Sequence, residues 1–297
     1  SDVYKRQPLR MMRAARFASQ LNFEIDPEVF TAMSTMTSRI SIISAERVRD
    51  EFIKMLMSDH PRVGITALVD SGLAEMVLPE IPKLRLEIDE HHHHKDVYEH
   101  SITVLEQAIA HEERLGGPNL VIRLAALLHD IGKPKTRNLI AGGGVSFHHH
   151  EVVGARLSKA RMKALRFDNE TIDAVETLVA LHLRFHGYGD GEWTDSAVRR
   201  YVRDAGELLT HLHVLTRADC TTRNAKKAER LARTYDSLEE RIAKLEEEEE
   251  LSKIRPDLDG GQVMKLLGIS PSADVGKALD FLMELRMEHG PLGEELS

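Results

Sequence analysis

The chain has 297 residues, 42% of them hydrophobic and 30% charged, with a formal net charge of −8 and one cysteine, Cys220. That balance supports a folded core and excludes an internal disulfide framework, so a reducing compartment is expected. No apolar run reaches the roughly 20 residues that a bilayer-spanning helix needs, and no signal peptide is visible; a cytoplasmic protein without membrane association is the expectation. The negative total argues against nucleic acid as a partner. The charge is uneven, however: acid gathers in 87–90 and 244–251, base in 10–16, 156–166 and 223–233, and local patches decide such contacts.

Residues 1–7 lack periodicity and do not begin with Met, so they read as a truncated or foreign start. Pro8 then opens a helix in which Leu9, Met12, Ala15, Phe17 and Leu21 form the expected apolar stripe. Arg10, Arg13 and Arg16 recur every three residues and are expected on the opposite face. An Asp-Pro start signal at 26–27 predicts a second helix, and Ser44 with Glu46 predicts a capped third one. Further helices are expected at 61–73, 97–115, 119–131, 149–164, 169–184, 195–202, 205–218, 223–249, 259–267 and 272–288. Strand signals are confined to 136–147, where short apolar pieces flank three glycines as in a small hairpin. The predicted class is all-α: an elongated helical neck (8–90), a helical body (91–225), and a long charged helix with a tail (226–297).

Sixteen histidines are many for this length. His100, the pair His129-Asp130, His150, His182 and Asp219 each lie in or beside an apolar helical segment, and imidazole with carboxylate suits divalent cations. Taken singly, a histidine on an apolar helix is more often a satisfied core residue than a ligand. The tract His91–His94 is internal and reads as a solvated loop or a polar entrance to a site.

As an ordered set, His, His-Asp-x-Gly-Lys, His-Glu, His and Arg-Ala-Asp resemble the HD superfamily of metal-dependent phosphohydrolases. The resemblance implies His100, His129, Asp130 and Asp219 as metal ligands, His150 and His182 as further ligands, and Asp130 with Lys133 as catalytic, the lysine meeting a substrate phosphate. Separately, "PLRMMRAARFASQLNF" resembles the arginine-bearing neck helix of bacterial CCA-adding tRNA nucleotidyltransferases and their poly(A) polymerase relatives. There the first two arginines select ATP or CTP by base edges, a role the resemblance carries to Arg10 and Arg13. "SAERVRDEFIKML" is similar to the following neck helix, and residues 255–295 to the tail that helps hold tRNA.

The family's acidic pair before "PLR" is replaced by Arg6-Gln7, and its amino-terminal head with paired metal-binding aspartates is not present in this sequence. The expectation is therefore a portion of a tRNA nucleotidyltransferase that binds tRNA but does not itself add CCA. Its HD body is expected to hydrolyse phosphoesters such as 2′,3′-cyclic nucleotides. Mg2+ is implied for the family's transfer reaction, and Ni2+, Mn2+ or a similar transition metal for the HD site. Two other readings stay open: a free-standing HD phosphohydrolase acting on nucleotides, and an RNA-binding helical module with a purely structural His-Asp site.

Overall fold

A computed structural model describes residues 7–86, 96–140, 144–188, 193–222, 224–249 and 254–291. The tract His91–His94 and residues 1–6 lie outside the described residues. Among those described, the fold is all-α, with a single two-stranded antiparallel ladder, β1 (Asn138–Leu139) and β2 (Val145–Ser146), as the triple glycine predicts. The chain divides into two compact units, Ser1–Leu183 with Thr210–Thr221, and Arg184–Leu209 with Thr222–Ser297. No described helix is long and apolar enough to cross a membrane.

The first unit opens with α1 (Leu9–Leu21), which buries Leu9, Met11, Met12, Ala15, Ala18 and Ser19. The predicted stripe is corrected at its far end, where Phe17 and Leu21 are 48% and 55% exposed. At 3.6 residues per turn, Phe17 and Leu21 fall opposite Met12 and share the solvent side with Arg10. The arginines, spaced by three, lag about 60° per step, so they sweep from exposed Arg10 to Arg16, whose side chain is only 14% exposed.

Asp26 caps α2 (Pro27–Thr35) by accepting from the amides of Glu28 and Val29, as its Asp-Pro signal predicts. Ser44 stands at the N-cap of α3 (Ala45–Leu56), but its side chain makes no capping hydrogen bond. α4 (Pro61–Asp70) crosses α1 where Gly64 donates its amide to Ser19 Oγ at 2.8 Å. It stops before Gly72, whose φ of 76° a helix cannot continue.

α5 (Val97–Ala110), α6 (Leu120–Leu128), α7 (His150–Ala164) and α8 (Asn169–Leu181) build the rest of this unit, closed by most of α10 (209–219), which follows α9 (Asp195–Ala205) in sequence. α6 is apolar on nearly every side and buries Ile122 to Leu128 without a break. One charged residue in that run, Arg123, is satisfied by Glu112 and by the carbonyls of Leu56 and Ser58.

The second unit packs α9 on α13 (Ala273–His289) and on α11 (Ala225–Glu249). Its tail, α12 (Gly260–Leu267) with α13, closes over Leu258, Val263, Val275 and Leu282. Asp259 and Gln262 form a reciprocal capping box at the start of α12.

Candidate metal centre

α6 ends at Leu128, and the next two residues, His129 and Asp130, turn inward at 1% and 2% exposure. Burying these groups unpaired costs several kcal/mol. Around them the fold brings His100 from α5, His150 from the first turn of α7, His182 from the end of α8 and Asp219 from the end of α10. All six predicted ligands thus meet in one place, with Lys133 beside them.

Two triads share Asp130. On one side, His129 Nε2 is 3.2 Å and His100 Nε2 3.6 Å from Asp130 Oδ2, and the two ring nitrogens are 3.3 Å apart. Asp219 Oδ1 completes that side, 2.9 Å from His100 Nε2 and 3.6 Å from His129 Nε2. On the other side, His150 Nε2 and His182 Nε2 lie 3.2 Å and 4.0 Å from Asp130 Oδ1 and 3.3 Å from each other.

The orientation of the rings is set from behind. The Nδ1 atoms of His129, His150 and His182 donate to the carbonyls of Ala126, Phe147 and Val179, each three residues back, at 2.8, 2.8 and 2.7 Å. His100 Nδ1 meets Thr221 Oγ1 at 3.2 Å. A proton held on Nδ1 leaves the Nε2 lone pair aimed at the centre, the arrangement that outer partners impose on metal-binding histidines. Lone pairs 3.3 Å apart repel unless a proton or a cation stands between them. Ligands about 2.1 Å from a shared ion are separated by roughly 3.0–3.4 Å; both His–His separations and the His129 and His150 distances to Asp130 fall in that range, and the others run from 2.9 to 4.0 Å. Asp130 Oδ2 is also buried without an aligned hydrogen bond, its nearest fixed charge being Lys133 Nζ at 2.9 Å. The residues present fit a divalent cation on each side of Asp130.

Without a cation, protons do the balancing. Burial alone would lower His129, but Asp130, helped by Asp219, raises it to about 9. Burial would raise Asp130, yet His129 and Lys133 hold it well below the usual carboxylate range. His182 is pushed down to about 3 by burial and by the charge on His129. Lys133 Nζ sits 2.9 Å from Asp130 Oδ2 and 5.6 Å from the centre of the Phe147 ring.

Arg10 and Arg13 lie elsewhere, at the start of α1. With Pro8, Leu9, Ile42, Ile43 and Arg47 they line a cavity of about 170 Å3. Arg13 is held by Glu51 on α3. Arg47, Glu51 and Thr221 escape a reading of the sequence. The one available signal for Glu51 was its place one residue before buried Phe52, on the inward side of an amphipathic helix.

A family model for the HD domain matches residues 97–245, half of the chain. The chain belongs to the HD domain family. A second model, described as the probable RNA and SrmB-binding site of polymerase A, matches residues 22–84. Along nearly its whole length the HD chain is related to bacterial tRNA nucleotidyltransferases. It is 33% identical to the A-adding tRNA nucleotidyltransferase of Deinococcus radiodurans, over 96% of this chain and 65% of that protein. It is 31% identical to the CC-adding tRNA nucleotidyltransferase of Thermus thermophilus, over 94% of this chain and 62% of that one. A solved structure of a CCA-adding enzyme in an apo form covers 98% of this chain and 58% of its own, with a TM-score of 0.54 at 14% identity, a likeness of fold alone. The chain thus spans less than two thirds of the length of these relatives.

Proposed function

We propose that this chain serves tRNA 3′-end maturation as the RNA-holding portion of a tRNA nucleotidyltransferase, and that its HD centre is a cytoplasmic, metal-dependent phosphohydrolase. The first half rests on similarity to the A-adding and CC-adding enzymes over 96% and 94% of the chain, which a free-standing phosphohydrolase would not share. In this reading residues 8–90 are the neck, 91–225 the HD body and 226–297 the tRNA-binding tail. Arg10 and Arg13 meet ATP or CTP by their base edges, in the cavity they line with Arg47. Planar guanidinium forks suit that task because they offer paired donors in fixed geometry.

The observation that carries the hydrolase reading is the convergence of four imidazole Nε2 atoms on Asp130, each ring anchored through Nδ1. His100, His129, Asp219 and Asp130 would hold one ion, and His150, His182 and Asp130 would hold the other. Mn2+, Ni2+ or a similar borderline ion suits this mixture of nitrogen and oxygen. When bound, such ions supply Lewis acidity toward a phosphoryl oxygen and make water acidic near neutral pH. The protein's own contribution is orientation and charge. Asp130 joins the two halves, and Lys133 places an ammonium at the carboxylate to meet the substrate phosphate. A 2′,3′-cyclic nucleotide, or another phosphoester at an RNA end, is the substrate that joins the two halves of this proposal.

The test is hydrolysis of 2′,3′-cyclic AMP by the purified chain with Mn2+ or Ni2+. Asp130→Ala should abolish it, and unchanged turnover in that variant refutes the assignment. Binding to tRNA should weaken steeply with salt as phosphate counterions are released; a salt-insensitive interaction refutes the RNA-holding role.

A further inference from the structure

Two glycines at the metal centre lie so close together that a side chain is excluded at one and tightly confined at the other. A Cβ on Gly132 would lie 2.1 Å from the carbonyl oxygen of His150 and 2.7 Å from the amide nitrogen of Gly154. A Cβ on Gly154 would lie 3.3 Å from the amide nitrogen of Gly132 and 3.4 Å from the carbonyl oxygen of His129. Backbone conformation does not demand glycine at either position. Gly132 has φ −75° and ψ −23°, open to any residue, and Gly154 sits inside α7, where glycine costs about 1 kcal/mol relative to alanine. At Gly132 the contact itself excludes the side chain; at Gly154 it crowds one.

That contact has a definite place in the centre. The turn after α6 carries His129 and Asp130, the hinge of both triads. The first turn of α7 carries His150, a ligand of one triad only. Two restraints on His150 act within its own segment, the left-handed φ of 62° at His149 and the hydrogen bond from His150 Nδ1 to Phe147, and a third is the packing of α7 along α8, which carries His182. The first two aim the ring without setting its distance from Asp130. The crossing of Gly132 with Gly154 ties that segment to the turn, and His150 Nε2 then lies 3.2 Å from Asp130 Oδ1.

We propose that the backbone crossing at Gly132 and Gly154 sets the separation of the two triads, so that the ion of His150, His182 and Asp130 is held at full affinity only while both positions lack a side chain. The inference rests on the metal-centre reading above. Both glycines are positioning residues; neither touches substrate.

The experiment counts Mn2+ bound to the whole purified chain by equilibrium dialysis, with circular dichroism as a check of folding. The wild type should bind two ions, and His150→Ala one. Gly132→Ala should also bind one, with the affinity of that remaining ion unchanged. Gly154→Ala, whose contacts are looser, should keep both ions but weaken one by about tenfold, the scale of losing an outer partner of a ligand. Two ions at wild-type affinity in folded Gly132→Ala would overturn the proposal, as would equal weakening of both ions, which marks a general structural effect. If Gly132→Ala does not fold, Gly154→Ala decides: selective weakening supports the proposal, and equal or no weakening overturns it. A wild-type chain that binds no second Mn2+ overturns the two-ion reading itself, and the inference with it.

Discussion

Glu51 receives both Arg13 and Arg16: its Oε1 lies 3.2 Å from Arg13 Nε, and its Oε2 lies 3.2 Å from Arg16 Nε. A single carboxylate on α3, 4% exposed, therefore orders two of the three arginines on α1. Removing it strands a mostly buried guanidinium. Glu51→Ala should cost about 1–3 kcal/mol of stability, read by chemical denaturation, and, on the role proposed for Arg10 and Arg13, should weaken ATP binding. Glu51→Gln, which keeps an acceptor, should lose less of both.

Thr221 stands behind the candidate metal centre, at the Nδ1 of His100. Thr221→Val keeps the shape and removes the oxygen. It should weaken the ion held by His100, His129 and Asp219 by about 10–100-fold and leave the His150–His182 ion unchanged, as Mn2+ titration would show. Asp130→Ala should weaken both, because each triad uses one of its oxygens.

Gly64 lies where α4 crosses α1. A Cβ there would lie 2.4 Å from Met55 Sδ, 2.4 Å from Ser19 Oγ and 2.7 Å from the carbonyl oxygen of Ala15. The side-chain atoms can move, but the carbonyl cannot do so without shifting α1. Gly64→Ala should destabilise by about 1–3 kcal/mol, against the usual gain of alanine over glycine within a helix, and thermal unfolding would show the loss.

Asp168 caps α8, accepting from the Thr171 amide and hydroxyl at 2.8 Å each. Those bonds hold its carboxyl below the usual range. A depressed folded pKa stabilises fully above the unfolded value, and that stabilisation is lost as pH falls through the folded one. Asp168→Ala should therefore cost about 1 kcal/mol at neutral pH. The gap between the variant and the wild type should close as pH falls below the ordinary carboxylate range. A gap that stays constant down to that pH contradicts the cap as its source.

Much of this architecture is legible along the chain because helices announce themselves locally. Asp26, Asp168 and Asp259 mark helix starts by short-range capping. The three glycines before β2 mark the hairpin, and His129-Asp130 marks an apolar helix that ends in polar groups. Phe17 and Leu21 show where a local reading goes wrong. They are apolar and near helical spacing, but the buried arc of α1 is centred on Met12 and Ser19, the side on which α3 and α4 pack.

The order of residues by itself determined which groups are available: four histidines and two aspartates of ligand type, each on a helical segment whose apolar face would carry it inward. Only the tertiary structure decided that these six meet within a few ångströms, that Asp130 divides them into two sets, and that Gly132 and Gly154 touch. The reason is the range of the interactions. Capping and periodicity act over about four residues, whereas the distance from His100 to Asp219 is closed by the packing of α5, α6 and α10, through contacts between segments far apart in the chain.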